Sequence, residues 1–456
     1  MPANPTARTY FGWQPEKVNF LFGLTGRRAG LLGAACVAAM LPFATSNPAI
    51  GVVWWPVAGV VAAVALTRIH GISIDEWITA AASYQLGRIG SRHKFLGGPA
   101  SPGHVPVMSL RDRSWHPGKA RNADLPGVLA PQRILLGEIS GEPLAVVHHR
   151  LDRTYTAVAK VRFPGIGLVD TSRQQARVDG WASVLAGLCT QDSPIVRVQA
   201  MQRLLPESGA ALRRWHADHL ATDAPDAAVA VTDQLLSGAT LATAQRDAYL
   251  AFTLDARRAG SAIKAAGGGD RGAMTVLARQ ARVLASSMSG ADLSVESWLS
   301  PRDLSEVIRT VYDPHAGRHL SDRRATHHSE GLQSGVHPGV AGPAAAQAQP
   351  GAYVHDGAKS VTYWVYDWPR ARVYATALAP LLGEGHHRRA VSLHIEPLGP
   401  REAERQVMRE RTSRDVAVRM RQRTGQIVPE HERAALQRAE AQDSERAAGH
   451  GLARFC

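Results

Sequence analysis

"ATSNPAIG", Ala44 to Gly51, interrupts the most apolar region of the chain. "AGLLGAACVAAMLPF" (Ala29–Phe43) stands before it and "VVWWPVAGVVAAVALT" (Val52–Thr67) after it, and no side chain from Ala29 to Thr67 is charged. A hydrocarbon core of about 30 Å is crossed by about 20 helical residues. Divided at this break, Ala29–Thr45 and Ala49–Thr67 are each just long enough to span. The break itself has turn chemistry: Ser46 and Asn47 are polar, and Pro48 suits the first turn of a new helix. Pro42 and Pro56 lie inside the two halves, a placement that membrane helices tolerate better than soluble ones. A soluble hairpin would show a polar face on each helix, and none is visible. The expectation is a two-helix transmembrane hairpin over residues 29–67.

The flanking charges orient it. Lys17, Arg27 and Arg28 come before the first half, and Arg68 follows the second directly, with Arg88, Arg92 and Lys94 beyond. The break carries no charge, so both ends are expected in the cytoplasm, with the turn facing outward across an inner cell membrane. Trp54 and Trp55 fall near that outer end, where an aromatic belt belongs. Residues 1–28 form a cytoplasmic lead, and no small-residue cleavage site marks a removable signal peptide. After the hairpin, Ser73 or Asp75 can cap a helix carrying Trp77, Ile78, Ala81 and Tyr84 on one face, within a juxtamembrane segment of 68–96.

With 456 residues and a formal net charge of +13, the chain has room for more than one domain and an attraction for anionic partners. Its three cysteines, Cys36, Cys189 and Cys456, form no CxxC and no even framework, which argues against a disulfide scaffold or a thiolate zinc site. Residues 97–131 are rich in Gly, Pro and basic groups and read as a linker.

The part from 132 to 314 reads as an α+β domain. Alternating or short apolar runs at Ile134–Ile139, Leu144–His148 and Tyr155–Phe163 predict an antiparallel sheet. "DTSRQQARVDGWASVLAGLC" turns to helical period, with Thr171 and Gln174 as a capping box. A strand at "IVRVQAMQR", helices near 209–220 and 225–236, a strand at "AYLAFTLDA" and a helix over Asp270–Met288 follow. Residues 315–351 lack apolar periodicity and are expected as a flexible insertion. From 352 to 456 the domain continues through a strand at "VTYWVYDW", a bend at Trp368–Pro369, a helix carrying Val373, Ala377 and Leu381, and a charged helical hairpin over Arg401–Thr424 and Glu430–Gly449. Pairs such as Glu410–Arg414 support that hairpin. Its Arg401, Arg405, Arg409 and Arg411 are the candidate partner or nucleic-acid surface, and the interleaved acids weigh against nucleic acid.

Catalytic motifs are missing. No GxxxxGK[ST] occurs, and "AAGGGDRGAM" lacks the lysine and hydroxyl of a phosphate loop. The pairs His148–His149, His327–His328 and His386–His387 have no HExxH around them, and adjacent residues on a strand face opposite ways. No catalytic residue, metal or cofactor is expected.

"YFGW" (Tyr10–Trp13), the two short apolar halves with a tight turn, and "GISIDEW" (Gly71–Trp77) together resemble the PrgI family, the small membrane-hairpin subunit of type IV secretion systems. The longer part is similar to the N-terminal domain of VirB/TraC-type secretion ATPases, as in actinobacterial conjugation-associated membrane proteins. This resemblance implies a non-enzymatic membrane-anchored scaffold that docks a separate VirB/TraC-type P-loop ATPase and other channel subunits. It also implies that the chain stops short at "GLARFC", where family members continue. Two other readings stay open: a membrane-tethered DNA-binding protein guiding transferred DNA, and a membrane-tethered signalling protein.

Overall fold

The computed structural model describes residues 26–45, 49, 51–69, 72–89, 91–97, 125–163, 165, 169–206, 210–239, 244–317, 319–321, 323–324, 334–365, 368, 373–374, 376–383, 388–423, 427–428, 430–447 and 451–455. They fall into two compact units, 26–94 with 409–440, and 95–408 with 441–455.

The smaller unit begins with helices α1 (Gly26–Ala44) and α2 (Gly51–Leu66), which pack against each other. Ala35, Ala38, Ala58 and Ala65 are buried along them, small side chains that let two backbones approach. Trp55 Nε1 donates to Ala39 O at 3.3 Å, and its ring lies 6.2 Å from that of Phe43. "ATSNPAIG" lies between two helices, as expected, but the expected membrane spans are not shown. No helix among the described residues is long and apolar enough to cross a membrane. The first turn of α1 is Gly26, Arg27 and Arg28, so its apolar part starts only at Ala29, and α2 has 16 residues. A 16-residue helix is about 24 Å long, short of a hydrocarbon core of about 30 Å. Thr45, Ala49 and Thr67, which the sequence-based spans include, lie outside α1 and α2. The expected transmembrane hairpin and two-span inner-membrane placement are therefore corrected to a short helical hairpin. Arg28, expected as a flanking cation at a membrane surface, is 6% exposed. A two-residue pair, β1 (Arg68–Ile69) with β2 (Ile72–Ser73), leads into α3 (Ile74–Ile89).

The larger unit is built in the order β3 (Lys94–Leu96), β4 (Gln132–Ile139), β5 (Glu142–His149), β6 (Thr154–Arg162), α4 (Thr171–Leu188), β7 (Ile195–Pro206), α5 (Ala210–His219), α6 (Asp226–Ala239) and β8 (Ala244–Asp255). It continues through α7 (Gly260–Ala265), α8 (Gly269–Met288), β9 (Ser294–Trp298), α9 (Pro301–Tyr312), β10 (Ala345–Gln349), β11 (Ala352–His355), β12 (Ala358–Ser360) and α10 (Ala379–Leu382). The last elements are β13 (Arg389–Leu398), α11 (Pro400–Arg423), α12 (Glu430–Ala447) and β14 (Leu452–Phe455); the middle of the α11–α12 hairpin belongs to the smaller unit.

Eight strands make one sheet in the order β14-β13-β7-β8-β6-β5-β4, with β9 pairing β6 beyond the end of β5. The pairings are antiparallel, and β7 and β8, 12 residues each, run together from Ile195↔Leu254 to Pro206↔Ala244. The α+β class and the strands read at Ile134–Ile139, Leu144–His148, Tyr155–Phe163, "IVRVQAMQR" and "AYLAFTLDA" thus stand, whereas "VTYWVYDW" carries no strand over its described residues 361–365. On one face, α4 and α8 cover Leu144, Val146, Tyr155, Ala157, Ala159, Val198, Phe252 and Leu254, the main core. On the other, α9 covers Ile134, Ala145, Tyr249 and Leu299. Close helix approach needs glycine twice: a Cβ at Gly180 on α4 would strike Gly290 O, and one at Gly272 on α8 would strike Ile263 O.

Local signals were read unevenly. The Thr171–Gln174 capping box does not form, since Asp170 is the N-cap and Gln174 Nε2 donates to Val169 O at 2.9 Å. A capping box appears on α9 instead: Ser300 Oγ accepts from Asp303 N, Asp303 accepts from Ser300 N, and Pro301 opens the helix. Within 315–351, residues 325–333 lie outside the described residues, while β10 comes from the same stretch. Of the linker 97–131, residues 98–124 also lie outside, and Leu125 is buried at 3% exposure.

Phe252 is wholly buried in the middle of the main core. Phe252→Ala is expected to cost about 3–5 kcal/mol in urea unfolding, whereas Leu136→Ala, at a site 67% exposed on edge strand β4, should stay within about 0.5 kcal/mol.

Candidate functional site

The strongest concentration of buried charge lies where α9 crosses β7 and β8. The ladder sets Arg203 opposite Asp247, and their side chains meet at 2.8 Å, Arg203 Nη2 donating to Asp247 Oδ2. Tyr249, two residues along β8, donates its hydroxyl to the same carboxylate at 3.2 Å and accepts from Arg203 at 3.1 Å. From above, Thr310 Oγ1 and Val307 O on α9 accept from Arg203 Nη1 at 3.2 and 3.3 Å. Arg388, just before β13, donates to Thr310 O. A second carboxylate, Glu306, is 7% exposed on α9 and takes a charged hydrogen bond from Arg324. Burial pushes the Glu306 carboxyl above the usual range, and Arg324 pulls it back in part. Burial likewise raises the Tyr249 hydroxyl, with Arg203 opposing. Two buried atoms of this cluster, Arg203 Nε and Glu306 Oε2, have no hydrogen-bond partner among the described residues.

A second cluster joins α8 to the opposite face of the sheet. Tyr155 Oη donates to Asp270 Oδ1 at 2.7 Å, and His148 stacks on the Tyr155 ring with centroids 4.3 Å apart. His148 Nδ1 lies 3.6 Å from the same oxygen. Burial lowers the His148 pKa and outweighs the attraction of Asp270, while Arg133, Arg150 and His149 lower it further. His149, the other half of the pair, turns away to Asp152 at 3.0 Å. Acid, imidazole and phenol are together here, yet the phenol is 6% exposed, and burial together with Asp270 raises its pKa. That arrangement ties a helix to a sheet rather than offering a base to a substrate. Cys189 is buried with its thiol on Leu452 O at 3.3 Å and its pKa raised by burial, the state of an unreactive thiol.

The residues singled out from sequence are not brought together. Arg27 and Arg28 open α1, Trp54 (39% exposed) and Trp55 (51%) lie in the first turn of α2, Arg68 is in β1, and Trp77 (48%) is in the first turn of α3. Arg401, Arg405, Arg409 and Arg411 are exposed along α11, and Arg405 Nε donates to Arg401 O at 3.3 Å. The Glu410–Arg414 pair forms at 2.7 Å. His327, His328, His386 and His387 lie outside the described residues. Among the described residues no group of three or more His, Cys, Asp or Glu could hold a metal. The Arg203–Asp247–Glu306 cluster was missed. Its sequence signal is a charge inside each strand run, Arg203 alone in "QAMQRLLP" and Asp247 beside Arg246 in "QRDAYLAF".

Residues 242–365 match a family model described as "Putative type VII ESX secretion system translocon, EccE". No curated protein matches the chain. The matched stretch runs from just before β8 to just past β12, and so contains Asp247, Tyr249, Glu306 and the whole of α8. It points to a secretion system, as the sequence resemblance implied, but to type VII rather than conjugative type IV, and it lends nothing to the PrgI-like or VirB/TraC-like assignments.

Asp247→Asn leaves the Arg203 guanidinium buried without its counter-charge and should cost about 3–5 kcal/mol in urea unfolding; the paired replacement Arg203→Met with Asp247→Leu should recover most of it. Burial also holds His148 and His394 below 6.5, so both stay neutral in the folded chain while the unfolded chain protonates first. Their contribution is complete above 6.5 and is lost as pH falls below it toward the depressed folded values. His148→Gln with His394→Gln should flatten the stability profile in that window, as followed by thermal unfolding against pH.

Proposed function

We propose that the chain is a non-enzymatic structural component of a type VII-like secretion apparatus, and that its larger unit docks other subunits of that apparatus. The observation that carries this reading is the match of residues 242–365 to the EccE translocon family. The matched stretch supplies β8, near the middle of the large sheet, and α8 and α9, one helix on each of its faces. The two polar clusters support the same reading, because each spends its charged groups on holding elements together. In this reading 132–314 and the parts of 352–456 that belong to the larger unit form the docking body, with the exposed Arg401 and Arg405 on its contact surface, while Arg409 and Arg411 lie on the part of α11 that belongs to the smaller unit.

The test is photo-crosslinking in a cell that carries a type VII apparatus, with the crosslinker at exposed positions Leu136, Trp215 and Arg401. Capture of type VII subunits, lost when the apparatus is deleted, is the expected result. If none of the three positions captures such a subunit, the reading fails.

A further inference from the structure

Helix α8 divides its surface between two kinds of contact. Toward the sheet it buries Ala273, Val276, Leu277, Ala281, Leu284 and Met288. Away from the sheet, at helical spacing, it exposes Arg271, Thr275, Arg279, Arg282 and Ser286. The turn after β8 adds exposed Arg257 and Arg258, and α7 adds exposed Lys264. Between Ala256 and Ala291 the single acid is Asp270, and it accepts the Tyr155 hydroxyl. None of these six cations makes an ion pair among the described residues.

Solvation alone does not ask for this pattern. On α11 the chain interleaves acids with its arginines, and the pairs form: Arg414–Glu410 at 2.7 Å, Arg419–Asp415 at 2.9 Å, and Arg421–Glu432 at 2.8 Å to α12. On α8 the exposed Arg279 and Arg282 stand three residues apart and repel each other with no acid beside them. A surface that keeps such repulsion is relieved by a counter-charged occupant.

We propose that the outer face of α7–α8 is a docking surface for an acidic segment of a protein partner. Charge complementarity names an anionic occupant, and the remaining chemistry of the face selects among the anions. A helix lying on a lipid leaflet buries its apolar face in the acyl region, but the apolar face of α8 is already spent on the sheet, leaving Val283 exposed beside the arginines. Single-stranded nucleic acid is held by exposed aromatic rings on which bases stack, and the cationic stripe has none. Arg271 and Arg279 are about 12 Å apart along the helix axis, two of the intervals of about 6 Å at which an acidic helix repeats glutamates at every fourth residue. A protein partner accords with the proposed place in a secretion apparatus, but the charge pattern stands without that reading.

The experiment uses the purified full chain and a fluorescent helical peptide with glutamate at every fourth position, at about 150 mM salt where weak long-range attraction is screened. The variant Arg271→Gln with Arg279→Gln and Arg282→Gln should weaken peptide binding by about tenfold or more. A control variant, Arg419→Gln with Arg423→Gln and Arg433→Gln, removes the same charge from exposed positions elsewhere and should change it by less than about twofold. Equal losses in both variants, or no peptide binding by the parent chain, overturn the proposal. So does α8-dependent binding that is tighter to a duplex oligonucleotide or to phosphatidylglycerol vesicles than to the peptide. Crosslinking to secretion subunits is scored separately, so loss of either conclusion leaves the other standing.

Discussion

Arg203 and Asp247 face each other across the β7–β8 ladder, 2.8 Å apart and almost wholly out of water. A guanidinium or a carboxylate buried alone carries a penalty of several kcal/mol, so each requires the other, and both require the strand register that sets them opposite. One residue of slippage between β7 and β8 would break the pair and turn every alternating side chain to the wrong face. The same guanidinium reaches up to Val307 and Thr310, which fixes where α9 lies on the sheet. Register, helix position and the smaller core around Tyr249 are thus set by one ion pair and its hydrogen bonds.

The opposite face is organised by shape and apolar area instead. Phe252, Leu254, Val198 and Leu144 present a continuous apolar surface, and α8 meets it with alanines and branched side chains. Gly180 and Gly272 permit the tight approaches that lock α4 and α7 around α8. Asp270 and Tyr155 add one directed bond at the end of the helix. A helix committed on its inner side in this way leaves its arginines together on the outer face.

The apolar hairpin shows how composition and length can diverge. Ala29 to Thr67 has the composition of two membrane spans, and reading spans from composition extends each helix to the last uncharged residue. The helices have other bounds: α1 begins with the polar turn Gly26–Arg28 and stops at Ala44, and α2 runs only from Gly51 to Leu66. The exposed Val37, Met40, Phe43, Val52 and Val53 remain as the apolar record of that composition.

The antiparallel strands β4 to β6, the long strand β8, helix α8 and the charged hairpin of α11 and α12 are legible in the amino-acid pattern, because each is carried by a local period of two or 3.6 residues. It also placed Glu410 with Arg414, four residues apart on one helix. The strand order, the pairing of Arg203 with Asp247 and the meeting of Tyr155 with Asp270 come from the fold. Both side-chain pairs join residues more than 40 positions apart in the chain, Arg203 and Asp247 by 44 and Tyr155 and Asp270 by 115. Local periodicity carries no information about such distances; they are settled by which faces can be buried together and which charges cannot be left alone.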